Sequence, residues 1–519
     1  MKRHVLYAAV LGSLLLPAVA GASTTTPDVA VDTVYYNYIE KLSGMGYIKS
    51  MPNGAKPYSR QQMAQWVKEA EAKAAAKPMP AYLQSQFNAL KDYLAPELAV
   101  LNGEELHNPL HVTSATLGYA YNHSDQMNYR YVHNKKDGNV RSNVINGHYQ
   151  PFGTGNNGYD NGRGSNYLAT FRVEGNLTKD IAVSAQPRWS YDKDNSGKLS
   201  LEEGYIKGGI GAWDLLFGKE AMIWGQGASG NLLLGNSMKP LTTFRVQTKK
   251  PQKIGGFFRF LGEVDVHAFY GELEGNRRDV AAQLGGKKEF DHPGLLGLRV
   301  DVTPTNYFTI GASRISMIGG DGNALNHSDW SDWFTGTNAY FDDKWNDIAG
   351  FDFRLRLPGV QFYGELYGED QAGYLPSQVG YRFGTYLPNL ADNGAWDMTL
   401  EIADTGRNWY RHGTFQNGWT YSGHILGDPM GRKARSYYAR VNHYLPNETT
   451  LGLYAKRTEM ERDIANHPIV NEVALTGQYK LRSDVYLRGT LGYAQVKHAE
   501  GTNTSDNSVF AGTTVEWMF

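Results

Sequence analysis

The stretch YDKDNSGKLSLEEGY, residues 191–205, carries oxygen donors at a spacing that suits a hard cation. Asp192, Asp194, Ser196, Gly197 and Glu203 fall at positions 1, 3, 5, 6 and 12 of the EF-hand pattern, with glycine at the sharp turn. Such a loop works between two helices, so the metal-ligand set Asp192, Asp194, Ser196 and Glu203 depends on what flanks it. A second pattern, GQGASG from Gly225 to Gly230, satisfies G-x-G-x-x-G. A dinucleotide site also needs a helix opening at the third glycine and an acidic residue about 20 positions on. Here NLLLGNSMKP follows, and position 245 is an arginine, so no cofactor is expected. A third possibility is hydrolysis. Glu202 and Glu203, Glu369 and Asp370, and Asp404 near His412 supply carboxylates, yet no nearby serine has nucleophile-elbow spacing. The chain has no cysteine, which removes thiolate chemistry and disulfides.

The elements that must position these groups follow from periodicity. From about residue 111 to the end, apolar residues alternate with polar ones at period two, as in strands. YLATFRVEGNL sets Tyr167, Ala169, Phe171 and Val173 against Thr170, Arg172 and Glu174. LLGLRVDVTP sets Leu296, Leu298, Val300 and Val302 against Arg299 and Asp301, and FDFRLRLP sets Phe351, Phe353, Leu355 and Leu357 against Asp352, Arg354 and Arg356. The flanks of the 191–205 stretch, DIAVSAQPRWSY and YIKGGIGAWDLLFG, read as strands too, so that stretch is a turn between strands.

Alternation suits both a soluble sandwich or solenoid and a transmembrane barrel, which turns its apolar face to lipid. The chain end separates them. AGTTVEWMF places Ala511, Thr513, Val515, Trp517 and Phe519 on one face and stops on the aromatic. A closing strand of this kind, with Val515, Trp517 and Phe519 as the signal read by the barrel-assembly machinery, favours an all-β transmembrane barrel over residues 111–519.

Two segments precede it. Residues 1–22 combine Lys2 and Arg3, an apolar run from Val5 to Leu16 and an A-x-A cleavage site, the layout of a secretory signal peptide for Sec-dependent export. Residues 23–110 hold helical patterns, with Ser59 and Gln62 in capping-box spacing and Met63, Trp66, Val67 and Ala70 on one face. They predict a small N-terminal α-helical bundle. Its YIEKLSGMGYI and YSRQQM pieces resemble a single surface-layer homology module, which adds the cell wall as an expected partner. The net charge of −1 gives no basic footprint for nucleic acid.

The stretch LLFGKEAMIWGQGASGNLLLGNSMKPLTTFRV resembles the capsule assembly Wzi family. Gly218-Lys219, Trp224-Gly225-Gln226-Gly227, Asn236-Ser237, Pro240 and Arg245 take the places of that family's motif. Lys219 stands where the family has arginine, and Ile223 where it has the first tryptophan of its WWGPG turn. The resemblance continues through FYGELEGNRR, IGASRISMIGGDG, YGELYGEDQAGYLP and LEIADTGRNWY. It implies about 18 antiparallel strands in the bacterial outer membrane, the bundle on the periplasmic side, and a lectin that binds or anchors capsular or surface polysaccharide without being an enzyme.

Sugar polymers are held by aromatic faces and by charged groups that hydrogen-bond hydroxyls and carboxylates. The candidate contacts are Trp224, Trp330, Trp333, Trp409 and Tyr410 for the first kind, with Trp419 nearby, and Arg245, Arg314, Arg354 and Glu369 for the second. The same residues suit purely structural roles in a barrel wall. A porin or uptake channel and an outer-membrane hydrolase stay open as alternative functions.

Overall fold

The computed structural model describes residues 24–128, 145–193, 197–283, 288–335, 344–372, 375–499 and 505–519, with backbone alone for 134–136, 139–141, 370–372, 375 and 377. Residues 1–22, read as a signal peptide, and the candidate ligands Asp194 and Ser196 lie outside the described residues.

Eighteen antiparallel strands close into a barrel. They are β1 (His111–Asn122), β2 (Gly164–Thr178), β3 (Ile181–Tyr191), β4 (Lys198–Ile210), β5 (Trp213–Glu220), β6 (Leu241–Thr248), β7 (Glu263–Glu272), β8 (Gly294–Thr305) and β9 (Phe308–Ile318). There follow β10 (Trp345–Leu357), β11 (Val360–Ala372), β12 (Leu375–Ala391), β13 (Trp396–Asp404), β14 (Arg435–Leu445), β15 (Thr449–Glu459), β16 (Ile469–Arg482), β17 (Val485–Lys497) and β18 (Ser505–Met518). Gln252–Lys253 pairs with β7 as β6 does, and counts with β6 as one strand. The last strand meets the first, with Trp517 opposite Ala115 and Val515 opposite Leu117.

The wall is inside out by the standard of a soluble protein. On β10, Asp352, Arg354 and Arg356 are buried while Phe351 is 57% exposed. On β8, Arg299 and Asp301 are buried and Leu298 faces outward. Phe171, Phe217, Phe244, Leu366, Leu475 and Leu491 are exposed on other strands. In water each such side chain would forgo roughly 1.5–3 kcal/mol of burial. A hydrocarbon surround removes that penalty, and the closed ladder leaves no unpaired edge within it. The alternation read from sequence therefore belongs to a transmembrane barrel and not to a sandwich.

Connections at one end are short, such as 179–180, 211–212, 358–359 and 483–484, and those at the other are long, such as 405–434. Outer-membrane barrels keep short turns on the periplasmic side. The helices α1 (Tyr35–Gly44), α2 (Arg60–Ala74), α3 (Ala81–Tyr93) and α4 (Ala95–Leu101) sit at the short-turn end. Ser59 Oγ accepts from the Gln62 amide at 3.1 Å, the expected N-cap, and Pro96 sits in the first turn of α4, dividing it from α3. The Gln62 side-chain nitrogen is buried without a partner among the described residues.

This head docks into the barrel mouth through charge. Lys207 meets Asp28 at 2.6 Å and Arg245 meets it at 3.1 Å; Lys41 reaches Asp397 at 3.2 Å; Arg60 links Glu97 and Glu174, each at 2.9 Å. Arg354 pairs with Glu40 of α1. Tyr38 OH accepts from Gln478 at 2.7 Å.

Candidate functional site

Between β5 and β6 the chain does not simply turn. Residues 221–240 fold into the lumen, where short Ile223–Trp224 pairs with Ala55–Lys56 of the head. The glycine-rich stretch then presents its amides to two wall carboxylates. Glu365 accepts from the backbone N–H of Gln226, Gly227 and Leu232, each at 2.8 Å. Glu401 accepts from Ala228 at 2.5 Å and Ser229 at 2.9 Å. A Cβ at Gly225 would lie 2.5 Å from Glu365 Oε1, so that approach needs glycine. The pattern is thus an anion cradle, as glycine-rich turns can be, but its anions are the protein's own side chains.

Arg382 locks the arrangement. It donates to Ser229 Oγ at 2.7 Å and Glu401 at 2.9 Å, and pairs with Asp428 of the long 405–434 connection. Arg299 makes two bonds to Asp301, at 2.6 and 2.7 Å, and two to Asp352, at 2.6 and 2.9 Å. Above this polar layer, Leu232, Leu233 and Leu234 pack with Phe415, Trp419, Leu426 and Met430 into an apolar cap. A cavity of about 570 Å³ lies between the head and the insert, lined among others by Glu40, Arg354, Arg440, Lys456 and Arg488.

Most of the aromatic and charged residues singled out in the sequence are internal. Trp224 packs edge-on against Phe269. Arg245 pairs with Glu220 as well as Asp28. Trp409 and Tyr410 are fully buried in the cap, and the Tyr410 amide donates to Glu369 at 2.5 Å while Asn346 donates to the other oxygen at 3.3 Å. Trp333, on α5 (His327–Thr335), is buried with its ring N–H on Ser316 Oγ at 2.9 Å. For these residues, and for Arg354, intramolecular partners take the surfaces expected to meet a polymer. Arg314 and Trp330 keep partial exposure: Arg314 donates to Asp347 at 2.5 Å and lies over the Trp333 ring at 4.3 Å.

Of the calcium-spaced residues described, Glu203 is engaged inside the wall. Glu203 sits inside β4, where Arg172 meets it at 2.9 Å and the Ala221 amide donates to it at 3.0 Å. No helix flanks the loop; β3 and β4 do. The turn reading holds for the residues described.

What sequence reasoning missed is an arginine cluster on the long-loop rim. Arg407 and Arg432 converge on Asp463 at 3.1 and 3.0 Å, and Arg435 and Arg462 on Asp404, both at 2.6 Å. Among the described residues, Arg411 joins them with no carboxylate within salt-bridge distance and no hydrogen-bond partner for its Nε. Burial, and then repulsion from Arg432, pushes its guanidinium down to about 10. The signal was present in TGRNWYRHG, GRKAR and KRTEMERD, three arginine-rich stretches far apart in the chain.

A closed, inside-out barrel whose lumen is filled by its own head and insert is a transmembrane barrel of the outer-membrane type that offers its environment a rim. The chain belongs to the family described as Capsule assembly protein Wzi, which matches residues 133–509. The 55.8 kDa protein of the cps region of Klebsiella pneumoniae is 28% identical over 345 residues, 63% of this chain and 66% of that protein. The chain therefore spans just under two thirds of that relative's length. Wzi of Escherichia coli, an outer membrane protein involved in group 1 capsule assembly and a carbohydrate-binding β-barrel, has the same fold. Its structure matches with a TM-score of 0.68 at 20% identity, covering 95% of this chain and 99% of that one.

Proposed function

We propose that this protein is a surface lectin that holds an acidic capsular polysaccharide at the extracellular rim of its barrel. The observation that carries the reading is the arginine cluster around Arg407, Arg411 and Arg432, placed on a barrel whose lumen its own chain fills. Guanidinium groups match carboxylates in a two-pronged geometry, which uronate-type sugars would supply. Arg411 is the strongest single contact, because an arriving anion relieves repulsion from Arg432 as well as making a bond. Arg314 and the half-buried Trp330 offer a second contact region on another long connection. The carbohydrate-binding description of the Escherichia coli barrel agrees with this reading.

The role is one of binding, not catalysis. Glu202 is met by Arg188 at 3.3 Å, and Glu203, Glu369 and Asp404 are each held by their own cations or amides at separate places. A porin would need a water-filled lumen, which sixteen- to eighteen-stranded porins keep and this insert occupies. The head acts as a seal: Tyr38, Glu40 and Lys41, within the stretch that resembles a wall-binding module, face the barrel.

Replacing Arg411 by Gln tests the lectin. A charge-assisted contact contributes about 1.5–3 kcal/mol, so polymer affinity should fall roughly 10- to 150-fold at low salt. The loss should shrink as ionic strength rises. The readout is capsule in the cell-bound and medium fractions, with barrel content measured on the same membranes. Unchanged retention by fully inserted Arg411→Gln and Arg407→Gln variants would remove the rim from the binding site.

Export through the Sec route and delivery to the barrel-assembly machinery belong to the same reading. Phe519 donates its amide to Thr113 O at 3.0 Å and its ring is 71% exposed, so the finished barrel draws little from it. Deleting it should leave the unfolding free energy of assembled barrels within about 1 kcal/mol of wild type. Their yield in the outer membrane should drop clearly. Normal yield would show that Val515, Trp517 and Phe519 are ordinary strand residues.

A further inference from the structure

Away from the arginine rim, three segments bring His148, Asp160 and His424 together. His148 comes from the short strand His148–Tyr149, Asp160 from the connection leading into β2, and His424 from the short strand His424–Ile425 within the 405–434 connection. His148 Nε2 is 2.9 Å and His424 Nε2 2.8 Å from the same Asp160 Oδ2. All three donor atoms lie within 4.8 Å of one another. The side chains are 11%, 15% and 9% exposed, enough for an ion to enter while one face stays open to solvent.

His424 carries the argument further. Its Nδ1 lies 2.9 Å from the carbonyl oxygen of Ser422 while its Nε2 faces the carboxylate. A neutral imidazole has one N–H, so it can satisfy only one of two oxygen acceptors. A cation between Nε2 and Oδ2 resolves the conflict: Nδ1–H donates to Ser422 and the Nε2 lone pair binds the ion. A ring nitrogen fixed by a backbone carbonyl is the usual support of a metal-bound histidine. The hairpin holds that carbonyl in place, since Ser422 and Gly423 both have positive φ, 49° and 80°, as a two-residue turn between paired Tyr421 and His424 requires.

We propose that His148, Asp160 and His424 form a binding site for a divalent cation of the zinc type. Two imidazole nitrogens and one carboxylate oxygen, with a fourth position open, suit tetrahedral zinc; calcium and magnesium prefer oxygen shells. Ligand bonds near 2.0–2.1 Å in a tetrahedron separate donor atoms by about 3.3 Å, so Asp160 and each histidine need part by roughly half an ångström. Side-chain rotation supplies that. The bound ion ties the 145–163 segment to the 420–425 hairpin, clipping two surface connections that have no covalent link.

The test uses the full mature chain without an affinity tag, extracted as the folded barrel and stripped with a chelator. Zinc is titrated against a fluorescent competitor chelator, with calcium and magnesium as comparison ions. Wild type should take up one zinc per chain. Asp160→Asn and His424→Gln should weaken uptake by at least about 100-fold, since even outer-shell partners are worth 10- to 100-fold. Their heat-modifiable migration should match wild type, which shows that the barrel is intact. Zinc should also slow protease nicking between residues 150 and 163 in wild type and in neither variant. Stoichiometric zinc on both variants, or none on wild type, would overturn the site and leave the triad as an ion-paired latch.

Discussion

Replacing Arg382 by Met is expected to destabilise the barrel by about 3–5 kcal/mol, the typical cost of removing one partner from a buried ion network. The side chain is 1% exposed and holds Glu401 on the wall, Ser229 on the luminal insert and Asp428 on the long connection. Methionine fills similar volume but leaves the Asp428 and Glu401 carboxylates without their cation. Glu401 keeps the amides of Ala228 and Ser229 and the Tyr363 hydroxyl, which donates at 2.8 Å, so Asp428 suffers more. Besides Arg382, its carboxylate accepts from the amide of Met430 at 2.9 Å, a single neutral donor. Denaturant unfolding of the purified barrel in detergent measures the loss. Adding Glu401→Gln and Asp428→Asn to the same chain should recover most of it, because the uncompensated charges go too. A single variant within about 1 kcal/mol of wild type would mean that the network is solvated and does not hold the insert.

That network marks where sequence reasoning stops. The barrel was legible because one physical rule, apolar outward and polar inward at period two, operates residue by residue along each strand, as in Phe351 to Leu357. The Ser59 cap and the break at Pro96 were legible for the same reason: cause and effect lie within four residues. The rejected dinucleotide and calcium patterns failed on local context as well. By contrast, Arg354 finds Glu40 and Arg356 finds Asn53 across more than 300 positions. Nothing in FDFRLRLP says that its arginines face a helical head instead of a ligand. Trp409, Tyr410 and Trp419 looked like sugar platforms because connections are usually exposed. Here the connection folds back over Leu232, Leu233 and Leu234, and their rings become core. The three arginine-rich stretches of the rim and the two histidines on Asp160 were visible as letters, but only closure of the barrel makes them neighbours.

The head is the other large lever, and Asp28→Asn should loosen it without unfolding the wall. Asp28 is 1% exposed and faces two cations, Lys207 at 2.6 Å and Arg245 at 3.1 Å, while its amide donates to the Tyr205 hydroxyl at 2.8 Å. The amide survives the change; the charge does not. Each cation retains a second carboxylate, Asp214 at 3.5 Å from Lys207 and Glu220 beside Arg245, so the cost should lie below the full value for an orphaned ion, at about 2–3 kcal/mol. That corresponds to a roughly 30- to 150-fold larger population of chains with the 24–30 segment undocked. The Thr25 amide, which donates across to Lys179 O at 3.0 Å, should exchange faster by that factor, while those of β8 to β10 keep wild-type protection. Planar-bilayer recording then addresses the seal. Wild type should be electrically quiet, and the variant should show brief openings only if the luminal insert also yields, because two obstructions in series conduct no better than the tighter one. Steady channels in wild type would contradict a filled lumen. Faster exchange spread evenly over head and wall would show that Asp28 supports the whole barrel, and that head and wall unfold as one unit.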